Sequence, residues 1–234
     1  MACNQSPNSV FLAIDTTGDT AALILADYNG AIIASSRYDG RRSLSQRLIG
    51  EIDNLLKANN LTIDDIGALA VCVGPGSFTG TRIGLTTMKT FAQVTGKPLV
   101  GVCSTDAYAR IVENWQNDNI VHALLPSRKS EVYAASYTFD GRRNLRTLPA
   151  DNLNESLKLD DKSIVIGYGA LTEGLTGRVI CRTENPVDGF VKCIVERIRN
   201  NDYDDPIGLI PLYAAPPAIS KPKDPSVLPQ ANNR

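Results

Sequence analysis

Gly74-Pro75-Gly76-Ser77-Phe78-Thr79-Gly80-Thr81-Arg82-Ile83-Gly84 is the stretch on which the reading of this 234-residue chain turns. Four glycines and a proline fall within eleven residues. The apolar run Ala68–Val73 before it predicts a strand, and the pattern Leu85–Val94 after it predicts an amphipathic helix. A strand, a glycine-rich turn and a helix start can together hold an anion, because the first backbone N–H groups of a helix are unpaired and point outward. Glycine lets such a turn bend sharply and come close to a partner.

Working upstream, Val10–Ile14, Ala21–Ala26 and Ala31–Tyr38 predict three successive antiparallel strands. The first ends in Asp15-Thr16-Thr17-Gly18, and Asn29-Gly30 marks a hairpin between the second and third. That order excludes a simple Rossmann arrangement. Residues 43–59 predict a helix whose Leu48, Ile49, Ile52, Leu55 and Leu56 share an apolar face. Thr62 is a candidate N-cap ahead of Asp65. In the helix after the glycine turn, Gly80 and Gly84 are four apart and share a face on which another backbone could come close. Apolar residues cover more than one side of that helix, as expected for a central helix or one that meets a partner. Gly96-Lys97-Pro98 stops it; a strand Leu99–Val102 follows, then a helix capped by Ser104 and running to Trp115.

Downstream, Ile120–Leu125 predicts a strand, and Glu131–Phe139 with Arg146–Leu148 a hairpin around Asp140-Gly141. Leu153–Leu159 predicts a short helix, Ser163–Ile166 a strand and Val187–Arg199 an amphipathic helix. From Pro206 the chain is proline-rich and is expected to be extended or disordered. The implied division is 1–115, 116–210 and a tail, 211–234.

Composition narrows the function. Apolar content of 43% and charged content of 21% are those of an ordinary soluble globular protein. A net charge of −1 argues against strong direct nucleic-acid binding, and Arg41-Arg42 and Arg142-Arg143 read as solvated loop charges. Cys3, Cys72, Cys103, Cys181 and Cys193 are odd in number and form no CxxC, so a reducing compartment is expected rather than a disulfide framework. Residues 1–9 carry no apolar leader core, and no apolar run approaches the roughly 20 residues that span a bilayer. A cytoplasmic location without membrane contact is the expectation. His122 is the single histidine; it reads as a packed or edge-strand side chain, and one histidine without paired cysteines makes a zinc site hard to build.

The wording of the glycine stretch resembles the signature of the TsaB (YeaZ) family, GPGSFTGLRIG, with Thr81 in place of the leucine. LAIDTTGDTAALIL, Leu48–Leu61 with Asp64-Asp65-Ile66, KPLVGVCSTDAYA, and Arg128 with Glu131-Val132-Tyr133-Ala134 resemble further segments of that family. The resemblance covers residues 10–139 well and thins afterwards. It implies an α/β fold of the actin/Hsp70/sugar-kinase type (ASKHA) with two similar αβ lobes. It also implies a non-catalytic accessory subunit, without catalytic residues or metal. The partners implied are a TsaD-like large subunit and a TsaE-like ATPase, acting together to place threonylcarbamoyl on N6 of adenosine 37 in tRNAs that read ANN codons. Homodimerisation is implied for the chain alone, with tRNA contacted only through the complex. No cofactor is implied for the isolated chain, and ATP or ADP is left to the complex interface.

The resemblance further implies pairing through the helices Ser45–Leu56 and Thr79–Val94. The expected partner-binding residues are Leu48, Ile52, Gly80, Arg82, Gly84, Leu85 and Met88, and Gly84→Leu is expected to break pairing with little loss of fold. Asp15, Thr16 and Thr17 fall where active members of the fold place a phosphate turn; with Gly74, Pro75, Gly76, Ser77 and Thr79 they form a vestigial phosphate site or loop. The chain departs from the family at Leu44 (often His), Pro126 (usually Asp) and Ala215 (often Arg). Two other classes remain open. One is an ATP-dependent phosphotransferase using Asp15 and the glycine loop, with Asp106, Asp140 and Asp188 as available carboxylates. The other is a peptidase with Ser77 as nucleophile and His122 as base. Residue by residue, Phe78 reads as core, Ser77 and Thr79 as N-caps, and Arg82 equally as a partner contact or a surface ion pair.

Overall fold

A computed structural model describes residues 9–41, 43–127, 130–141, 143–182 and 186–214. Two five-stranded sheets are built from β1 (Val10–Asp15), β2 (Thr20–Asp27), β3 (Ile32–Asp39), β4 (Ile66–Gly74) and β5 (Leu99–Cys103), and from β6 (Ile120–Pro126), β7 (Glu131–Tyr137), β8 (Arg143–Pro149), β9 (Ser163–Tyr168) and β10 (Arg178–Arg182). Their strand orders are β3-β2-β1-β4-β5 and β10-β9-β6-β7-β8. In each, three antiparallel strands lead and two parallel strands extend the first of them. One topology therefore occurs twice.

The first sheet is covered on both faces, and β1, β2, β4 and β5 are apolar along nearly all their length for that reason, whereas the edge strand β3 is largely polar and exposed. Val10, Leu12 and Ile14 of β1, with Leu69 and Val71 of β4, face α1 (Leu44–Ala58) and α2 (Phe78–Thr95). Phe11 and Ala13, with Ala68, Ala70 and Cys72, face α5 (Val187–Arg199). This alternation is the period-two signature of a pleated strand. The second sheet packs Val121, Ala123 and Leu125 against Tyr108 and Ala109 of α3 (Ser104–Ala109). Its other face packs Leu124, Val132, Ala134 and Val165 against Leu153 and Leu157 of α4 (Leu153–Leu157).

Several boundaries differ from expectation. The helix beginning at Ser104 ends at Ala109 rather than Trp115, and Ser104 does not cap it; its hydroxyl donates to the Pro75 carbonyl. The strand β10 was not anticipated, because Arg178–Arg182 alternates weakly and lies at a sheet edge. α5 packs on the first sheet, so a division that places residues 116–210 in the second lobe misassigns it. α5 crosses α3 so closely that a Cβ on Gly189 would lie on the Ala107 carbonyl.

Residues 206–208 form a turn closed on Asp205, residues 209–214 have no regular hydrogen-bonded structure, and the whole segment is docked rather than free. Leu209 and Leu212 pack against the first core, and the Leu212 N–H donates to the Val73 carbonyl at 2.8 Å. Arg42, Arg128, Arg142, Ala215, Cys3 and the rest of the proline-rich tail lie outside the described residues. No helix among the described residues is long and apolar enough to cross a membrane.

Candidate functional site

The turn leaving β1 is closed on itself. The Asp15 carboxylate accepts from the Thr17 backbone N–H at 2.9 Å and from the Thr17 hydroxyl at 2.7 Å. Asp15, Thr16 and Thr17 are all buried, at 6%, 1% and 5% exposure. An acidic side chain taking the N–H two residues on is an Asx turn, which stabilises the bend from within.

The glycine loop is fitted around this turn. The Ser77 N–H donates to the Thr17 carbonyl at 2.6 Å, and the Thr16 hydroxyl donates to the Gly80 carbonyl at 2.8 Å. A Cβ placed on Gly76 would stand 2.4 Å from the Thr17 carbonyl oxygen, on Gly80 2.0 Å from that of Thr16, and on Gly84 2.2 Å from the Thr16 hydroxyl. Such distances exclude any side chain, so glycine is required by close backbone approach. What these glycines approach is the chain's own Asp15-Thr16-Thr17 turn. The Gly80/Gly84 face is thereby corrected: it is an intramolecular packing surface, and neither residue can touch a partner.

α2 starts as expected at Ser77, whose hydroxyl accepts the Gly80 N–H at 3.2 Å. Thr79 is the second helical residue, not a cap. Gly74, at φ +98°, and Pro75 lead β4 into the loop. Beside the junction lies an open cleft of about 170 Å³ bordered by Asp19, Arg41, Ser45, Ser77, Thr79 and Ile83. Pockets that enclose drug-sized ligands run from about 300 to 1,000 Å³. Beneath the turn, the Thr17 hydroxyl is 3.8 Å from the Cys72 sulfur, and burial first, then the nearby Asp15 charge, pushes that thiol's pKa up.

The carboxylates available to a phosphotransferase are engaged elsewhere. Asp106 pairs with Arg143 at 2.8 Å and accepts from the Tyr137 hydroxyl at 2.6 Å. Asp188 pairs with Arg182, and Asp140 accepts from the Thr138 hydroxyl. The described residues hold no cluster of three or more His, Cys, Asp or Glu side chains suited to a metal ion. The structure does not join Ser77 to His122. His122 sits on β6, central in the second sheet, 3.0 Å from the Ser136 hydroxyl.

Of the residues expected to bind a partner, Leu48, Ile52, Leu85 and Met88 are core residues of the first lobe. Only Arg82 is exposed. The outer surfaces of the same two helices instead present Ile49, Gly50, Thr86, Thr90 and Val94. Ile49, expected on the apolar face of α1, is thus solvent-facing. Phe78, expected in the core, is 41% exposed and stacks on Arg82 and Tyr213. The guanidinium lies 3.8 Å from the Phe78 ring centroid, and its Nε donates to the Tyr213 hydroxyl at 2.7 Å. Sequence reading missed this stack, because Tyr213 is 131 residues away in a segment expected to be free.

The family described as "TsaD: tRNA N6-adenosine threonylcarbamoyltransferase" matches residues 34–160. The chain is 33% identical over 165 residues to a protein of Escherichia coli named "tRNA threonylcarbamoyladenosine biosynthesis protein TsaB", covering 68% of this chain and 71% of that one. The chain belongs to the TsaB family. An uncharacterised protein of Mycobacterium bovis is 30% identical over 211 residues, covering 89% of this chain and 93% of its own. The solved structure of YeaZ from Pseudomonas aeruginosa superposes with a TM-score of 0.70 at 22% identity, covering 88% of this chain and 99% of that one. A Bacteroides thetaiotaomicron protein described as having an actin-like ATPase fold superposes with a TM-score of 0.50 at 7% identity, over 80% and 97% of the two chains. These likenesses, with the repeated strand order, establish the two-lobed ASKHA-type α/β fold. Where the chain departs from the TsaB pattern, Leu44 is a buried core residue and Pro126 ends β6 on the surface.

Proposed function

We propose that this chain is the non-catalytic TsaB subunit of a machinery that makes threonylcarbamoyladenosine in tRNA. In that role it binds a TsaD-like large subunit and, with a TsaE-like ATPase, supports transfer of threonylcarbamoyl to N6 of adenosine 37 in tRNAs reading ANN codons. It works in the cytoplasm, pairs with itself when alone, and meets tRNA only through the complex. No nucleotide belongs to the isolated chain, and any ATP or ADP lies at the subunit interface.

One observation carries the non-catalytic reading. The turn that would cradle phosphate is buried, its hydrogen bonds are spent within the chain, and its space is taken by the glycine loop. An anion would have to displace backbone hydrogen bonds and core packing to enter. The outer faces of α1 and α2 remain for pairing, with Ile49, Thr86, Thr90 and Val94 rather than the buried residues as contacts.

The test is a reconstitution. tRNA, threonylcarbamoyl-adenylate, the TsaD-like subunit and the ATPase from the same source are combined with and without this chain, and modified adenosine is counted by mass spectrometry. Modification that needs this chain, while the chain alone does nothing, is the expected result. Equal modification without it, or submillimolar Mg²⁺-dependent ATP binding by the isolated chain, would overturn the proposal.

A further inference from the structure

After α5 the chain forms a strap, residues 203–214, that crosses the first lobe. The Asp204 N–H donates to the Leu99 carbonyl at 2.8 Å, and the Asp204 carboxylate accepts from the Gly101 N–H at 2.6 Å. These bonds cover the outer edge of β5, which would otherwise present unpaired backbone groups. The strap then runs along α2. The Lys89 ammonium donates to the Ile207 and Leu209 carbonyls at 3.0 and 2.7 Å, and Arg82 holds Tyr213 as described. Beyond Tyr213, the Ala214 carbonyl accepts from the Thr147 hydroxyl of β8 at 3.1 Å.

The strap has two apolar rows. Leu209 and Leu212 point inward and join the first core. Ile207, Ile210 and Tyr213 point outward, and the two isoleucines are 75% and 72% exposed. An element that only had to cover the core would carry polar residues on its outer row. Phe78 extends this outer row at the α2 N-terminus, where its ring centroid is 5.2 Å from that of Tyr213. Scattered exposed apolar residues need no explanation, but a row of them on a fixed segment marks an interaction surface.

The exposed Asp205 carboxylate stands at the start of the row, where it accepts from the Ile207 and Gly208 N–H groups at 3.0 Å, and two cations line the rest of it. Arg82 and Lys89 are seven apart, about two turns, and so lie on one side of α2. Their hydrogen-bond partners are a hydroxyl and two carbonyls, all neutral. Among the described residues neither cation has a carboxylate within ion-pair distance, and both lie at the rim of an apolar strip. The complement is an apolar segment flanked by carboxylates.

We infer that the strap and the adjoining side of α2 form a docking surface for such an acidic, apolar segment of the large partner subunit. This rests on the proposed role as a partner subunit and extends it from the outer faces of α1 and α2 to a further surface. Desolvating the isoleucines supplies affinity, and Arg82 and Lys89 supply orientation and rate of encounter.

The test is titration calorimetry of the full chain against the purified TsaD-like large subunit of the same source. Ile207→Ser/Ile210→Ser should weaken binding about tenfold or more while leaving the thermal melt in place, since neither side chain is buried. Ile210→Glu should weaken binding more than Ile210→Lys, because only the former sets like charges against the partner's carboxylates. Undiminished binding by the serine double variant overturns the inference while leaving the subunit role standing. Equal losses for Glu and Lys overturn the acidic character of the partner segment. If the variants dissociate only a homodimer in sedimentation, the occupant is a second copy and the inference fails. If the unaltered chain does not bind the large subunit, the functional reading itself falls, and this surface with it.

Discussion

Lowering the pH from 7.5 to 5.5 should remove on the order of 1 kcal/mol of folding stability through His122 alone, rising to about 2 kcal/mol by pH 5. His122 is 3% exposed on β6, and its pKa is depressed from 6.5 to about 4. Burial is the first cause and the positive charge of Arg146 on β8 the second; Asp160 opposes them. Nδ1 meets the Ser136 hydroxyl at 3.0 Å, while Nε2 has no hydrogen-bond partner among the described residues. A proton added to the folded ring would therefore place a charge where nothing solvates it.

Because the folded-state value is depressed, this contribution is intact above the unfolded-state pKa near 6.5. It is lost as pH falls toward 4, where the unfolded chain binds a proton that the folded chain refuses. The chain has a single histidine, so the slope between pH 7.5 and 5.5 is assigned to one residue. Urea melts at half-unit intervals would measure it. His122→Gln should start less stable and show a nearly flat profile over that window. A folded-state titration of His122 above pH 6 by NMR, or the same slope in the Gln variant, would refute the reasoning.

Gly84→Leu should now compromise the fold rather than pairing alone, because its Cβ would sit 2.2 Å from the Thr16 hydroxyl. A loss of several kcal/mol in a denaturant melt is expected, roughly that of overpacking plus a lost buried hydrogen bond; a native-like melt would contradict the packing described. Arg82→Ala should loosen the strap with a global cost of only about 1 kcal/mol, since it removes an exposed stack and one hydrogen bond. Amide exchange should rise over residues 209–214 and stay constant in β1 and β4; unchanged exchange there would deny Arg82 its anchoring role.

Much of the fold was legible because its signals are local. Short apolar runs marked β1, β4 and β6, and the helical repeat placed α1 and α5 close to their observed limits. The Ser77 cap and the Gly96 stop, at φ +69°, follow from the chemistry of helix ends. The Thr62–Asp65 capping box also stood in the sequence and forms around a single 3₁₀ turn. β10 was missed because edge strands bury little and their alternation is faint.

The candidate site divided along the same line. From sequence alone, a glycine-rich loop between a strand and a helix means that something comes close to the backbone at Gly76, Gly80 and Gly84. It cannot say what, because a phosphate, a partner helix and the chain's own turn make the same steric demand. Tertiary structure decided in favour of Thr16 and Thr17, more than fifty residues upstream. A helical repeat likewise says which side of α1 and α2 is apolar, but Leu48, Ile52, Leu85 and Met88 would serve a core or an interface equally well. The strap lay furthest from reach. Its prolines forbid regular hydrogen-bonded structure, so the sequence offers no period to read. Apart from the turn closed on Asp205, its position comes from contacts with residues far away in the chain, Val73, Arg82, Lys89 and Leu99.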